Sequence, residues 1–72
     1  MSKVRITGNK PANIHKTQFL GAPELDKQGR LERVSDIPEV ALQAIEKAIA
    51  QGSTEGFVSV EPGLKYEWFL DR

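Results

Sequence analysis

One stretch decides the class of fold. From Asp36 to Gly52 the chain carries a single helix-period segment, and the residues on either side of it alternate or turn. Ile37, Ala41, Ala44, Ile45, Ala48 and Ile49 recur at about 100° per residue, forming one apolar face that Val40 and Leu42 widen. Glu39, Gln43, Glu46 and Lys47 fall opposite, as a solvated helix surface. Ser35 and Asp36 are both competent N-caps, Pro38 suits a first turn, and Asp36 with Glu39 has the spacing of a capping box. Gly52 supplies the stop. The spacing predicts a helix over 37–51, with small alanines that let it sit close on a sheet.

The flanking segments read as strands. Residues 3–7 alternate with Val4 and Ile6 inward and Lys3 and Arg5 outward. Residues 8–13 are a Gly, Asn and Pro loop, and residues 17–20 form a second strand that places Phe19 in the core. Pro23 has no N–H for a ladder, so this strand ends there or lies at an edge. Residues 26–30 form a turn closed by Gly29, bringing Leu25 near a returning strand over 31–34. The C-terminus is a second hairpin. A three-residue loop that leaves Glu61 opposite Lys65 pairs Val60 with Tyr66 and Val58 with Trp68, which keeps one face apolar. Tyr66 and Trp68 then share the inner face while Phe69 points the other way. The fold class is α+β: a small antiparallel sheet of three to five strands with one amphipathic helix packed on one face.

Length and composition bound the function. With 72 residues the chain forms a single compact domain, 1–72, and it contains no cysteine. A domain this small buries only about 60% of its unfolded surface, and without disulfides or zinc thiolates it holds by packing or through a partner. No apolar run approaches the roughly 18 residues of a membrane span, and no signal peptide opens the chain, so the expected location is the cytoplasm. Ten cations balance ten anions, which argues against a general nucleic-acid binder. The balance hides a polarity. Residues 1–33 hold seven cations and three anions, whereas residues 34–72 hold three and seven. Either the two halves answer each other within the molecule, or they form a two-faced surface for a charged partner.

Catalysis finds little support. His15 is the sole histidine and reads as a solvated loop residue, the serines lack a nucleophile context, and the carboxylates lack the spacing of a calcium loop. Gly8-Asn9-Lys10-Pro11 lacks the Gly-Lys-Ser/Thr ending of a phosphate loop. No enzyme activity, metal or cofactor is expected. The binding candidates are Lys3, Arg5, Lys10 and Lys16 at the N-terminal strand and loop, and Phe69 on the outward side of the last strand. The basic residues have no aromatic between them to stack a base, which makes direct nucleic-acid contact the weaker reading.

The arrangement of residues 1–34, one helix and the ending 56–72, with the opening Met1-Ser2-Lys3-Val4-Arg5-Ile6-Thr7, resembles a family of small phage-encoded transcription regulators. These proteins bind host RNA polymerase, and inhibitors and antiterminators of lytic Xanthomonas phages are among them. The resemblance implies a monomer in the host bacterial cytoplasm that binds the polymerase β′ subunit, interferes with σ and blocks initiation, with antitermination as a second activity. It transfers no individual functional residue. The alternatives are another host-takeover inhibitor, such as an anti-CRISPR or antitoxin-like protein, and a small nucleic-acid-binding module.

Overall fold

β1 (Ser2–Gly8) is the strand on which the sheet is assembled. A computed structural model describes residues 2–9 and 15–71 of the chain. Along β1, Val4, Ile6 and Gly8 are buried while Lys3 and Arg5 are exposed, as the period of two requires. β2 (Gln18–Gly21) and β3 (Glu24–Leu25) both pair with one side of β1, and β5 (Leu64–Asp71) pairs with the other. β4 (Glu55–Glu61) closes the far edge, giving an antiparallel sheet in the order β2-β1-β5-β4, with β3 continuing the β2 edge. Pro23 lies between β2 and β3, where its carbonyl accepts the Val4 N–H at 3.0 Å. A proline is tolerated there because the position is at an edge.

α1 (Glu39–Ala50) covers one face of this sheet. Ala41, Leu42 and Ile45 are fully buried against Val4, Ile6, Leu20, Tyr66 and Trp68. The C-terminal stop is a Schellman motif: Gly52, at φ 98°, donates to Ile49 O and Ser53 donates to Ala48 O. The start differs from the expectation. Pro38 is the N-cap and offers no side-chain hydrogen bond, so the Asp36–Glu39 capping box does not form. Glu39 instead pairs with Arg33 at 3.5 Å. Val40 is 60% exposed and does not widen the apolar face, because the sheet approaches from the side of Leu42.

Glu46 is a further correction. It is no solvated surface residue: its Oε2 accepts the Leu31 N–H at 2.7 Å and Arg33 Nη1 at 3.0 Å. The 26–30 turn forms as expected, with Gly29 at φ 84° and Asp26 Oδ1 accepting from the Gln28 and Arg30 N–H groups. Leu31 meets Leu25 in a single bridge, but residues 31–34 do not continue as a strand. The helix carboxylate takes the backbone N–H of Leu31, and the segment docks on α1.

The C-terminal hairpin uses neither a three-residue loop nor the expected pairs. Glu61 faces Leu64 across a two-residue turn, Pro62-Gly63, with Gly63 at φ 84°. A bulge between Ser59 and Glu61 then absorbs Val60, so that Val58 pairs with Tyr66 and Gly56 with Trp68. The tight turn alone would have placed Val58 opposite Glu67; the extra residue restores the apolar face. The bulge thus sets Gly56 opposite Trp68, and the β1–β5 register sets Gly8 opposite Tyr66. A Cβ on Gly8 would lie 2.5 Å from Lys65 O and 2.9 Å from the Tyr66 ring, and one on Gly56 would lie 3.3 Å from the Trp68 indole nitrogen.

Candidate functional site

The helix covers only the inner face, and the same alternation that buries Tyr66 and Trp68 turns a second row of side chains outward. In register, Phe57, Glu67, Thr7 and Phe19 run across β4, β5, β1 and β2. Beside them Glu55, Phe69 and Arg5 form a second row across β4, β5 and β1. Phe19 is 59% exposed, Phe57 69% and Phe69 48%. All three phenylalanines of the chain therefore lie on the open face, while its tyrosine and tryptophan are in the core. The sequence reading that put Phe19 in the core is wrong. Its neighbour Leu20 takes the inward position, and consecutive strand residues face opposite ways.

Charge on this face is mixed. Lys3, Arg5 and Lys65 stand among Glu55, Glu67 and Asp71, all exposed. Arg5 Nε contacts Asp71 Oδ2 at 3.2 Å, and Lys65 Nζ lies 6.0 Å from the Phe57 ring centroid. The ion pairs Arg5–Asp71, Arg33–Glu39 and Arg33–Glu46 each join the basic 1–33 segment to the acidic 34–72 segment. At these positions the polarity of the sequence is answered within the molecule. A shallow depression of about 520 Å³ opens between β4 and β5, bordered by Glu55, Phe57, Glu67 and Phe69.

The structure brings Lys3, Arg5 and Phe69 together, so two surfaces that looked separate in sequence are one. Phe69 is the direct β5 partner of Arg5. Lys16 is exposed but precedes β2, whose Gln18 pairs with Gly8, at the end of β1 opposite Lys3. Lys10 lies outside the described residues. Sequence reasoning missed Phe57, although the signal was present: Phe57 alternates against the inward Val58. Phe19 supplies the aromatic neighbour that the basic strand appeared to lack, but interleaved carboxylates make the face a poor track for a phosphate backbone. His15 is exposed, and no cluster of three or more metal-ligating side chains exists among the described residues. Among the described residues no helix is long and apolar enough to cross a membrane. No protein-family model, curated protein or solved structure matches the chain.

Proposed function

We propose that this chain is a stoichiometric protein-binding inhibitor that docks through the open face of its sheet, and that its partner is bacterial RNA polymerase in the cytoplasm of the host cell. The observation that carries the docking surface is the outward placement of Phe19, Phe57 and Phe69 among charges of both signs. Aromatic side chains ringed by polar groups are the anchors of protein interfaces, whereas a nucleic-acid surface is predominantly basic. A standard interface takes about 800 Å² from each partner, roughly a sixth of the 4941 Å² this chain exposes. One sheet face is of that order. The polymerase, the interference with σ and the antitermination come from the resemblance of the chain to phage transcription regulators. A bound domain of this size acts by occlusion, at one molecule per target.

Capture from bacterial lysate followed by titration of promoter-dependent transcription tests the reading. Retention of polymerase subunits, with inhibition complete near equimolar chain, is the expected result. Phe57→Ala and Phe69→Ala are each expected to weaken binding about thirtyfold, near 2 kcal/mol, without shifting the melt of the free domain. Capture of a different host complex, with transcription untouched, points instead to another host-takeover inhibitor. Steeply salt-dependent binding to free DNA or RNA points to the nucleic-acid module.

A further inference from the structure

Four side chains on the open face form a square. Glu55 lies directly opposite Phe69, and Phe57 directly opposite Glu67. Residues 55 and 57 share a face of β4, and residues 67 and 69 share that face of β5, so the two rings occupy one diagonal and the two carboxylates the other. The depression of about 520 Å³ opens over them. Of the nearby cations, Arg5 is held by Asp71 at 3.2 Å, while Lys65 flanks one corner, its Nζ 6.0 Å from the centroid of the Phe57 ring. Among the described residues neither Glu55 nor Glu67 has a salt-bridge partner.

The adjoining edge is open as well. Leu70 N donates to Thr54 O at 2.7 Å, so in this antiparallel ladder Thr54, Gly56 and Val58 bond to β5. The backbone N–H and C=O groups of Glu55, Phe57 and Ser59 therefore point away from the sheet. An extended segment added there presents alternate side chains on the same face, one strand spacing from β4, where a long side chain reaches across to the square.

We infer that the square receives a basic side chain, arginine in preference to lysine, carried on an extended segment of a protein partner that pairs with the edge of β4. A guanidinium stacks on aromatic rings and forks to carboxylates, which the crossed diagonals offer together. This rests on the open face being the binding surface and adds the chemistry of what it recognises.

The test is an amide-shift titration of the full chain at low salt with an acetylated, amidated pentapeptide Thr-Val-Arg-Val-Thr, beside the same peptide with Gln in place of Arg. The arginine peptide should shift the amides of Glu55, Phe57, Glu67 and Phe69 to saturation and bind at least about tenfold more tightly than the glutamine peptide. A Glu55→Gln, Glu67→Gln double variant should lose about tenfold in affinity for the arginine peptide with an unchanged melt. Equal binding of the two peptides, shifts confined to other residues, or parental affinity in the double variant overturns the inference. Polymerase capture by the parent separates the two proposals. Capture without an arginine preference removes the square and leaves the proposed function; an arginine preference without capture supports the square and removes the polymerase.

Discussion

Gly8 and Tyr66 are direct partners across β1 and β5, and each yields a prediction. Gly8 sits on the inner face of β1 where a side chain would meet the Lys65 carbonyl at 2.5 Å, so no rotamer change relieves the clash and the β1–β5 ladder must spread. Gly8→Ala is expected to cost about 1–3 kcal/mol in a denaturant melt, against the small gain that replacing a glycine would give on an unhindered strand. Tyr66 fills the space that the glycine leaves. Its phenol is held above the usual 10.0 by burial first and by the nearby Glu61 carboxylate second. The folded state thus holds its proton longer than the unfolded chain does. The stability linked to Tyr66 is complete below about pH 10 and falls as the pH rises toward the elevated folded value. Melts of the parent and of Tyr66→Phe across that range should diverge, with the parent losing more; parallel curves would place the alkaline loss on other groups.

Between elements, Glu46 holds the segment after the 26–30 turn against α1. Its carboxylate is the acceptor for a partly buried backbone N–H and for Arg33, which also reaches Glu39. Glu46→Ala leaves the Leu31 N–H without its acceptor and should cost about 1–3 kcal/mol. Glu46→Gln keeps an acceptor and should cost less. Amide exchange at Leu31 is the direct measurement: protection drops in the alanine variant and is largely retained in the glutamine variant. The second hairpin shows why element-level pairing was only partly legible. The requirement for one apolar face was sound, and it is met, but by a tight Pro62-Gly63 turn with a bulge at Val60 and not by a longer loop. A hydrophobic pattern specifies which face a residue occupies; it does not specify whether the needed shift of register comes from the turn or from the strand.

The whole molecule is a two-layer arrangement in which one helix and one sheet face bury each other and the second sheet face stays open. Ile45 is at 0% exposure where α1 meets the sheet, so Ile45→Asp places a charge in the core layer between them and should abolish the cooperative melt. A transition near the parental midpoint would show that the helix face is placed wrongly. The local signals determined much of this outcome. The helix stop at Gly52, the turn at Gly29, the inward Val4, Ile6, Tyr66 and Trp68, and the outward Phe69 all follow from periodicity and backbone preference, which act within a few residues and are written in their order. The tertiary structure decided what depends on which segments meet. It placed Phe19 and Phe57 beside Phe69 on one face, drew Glu46 to a backbone N–H fifteen residues away, left Val40 in solvent, and answered Arg5 with Asp71. Period-two alternation assigns a residue to one of two faces but is silent on which face the single helix will cover. That choice belongs to the packing of the whole chain, and it made the uncovered face a candidate for binding.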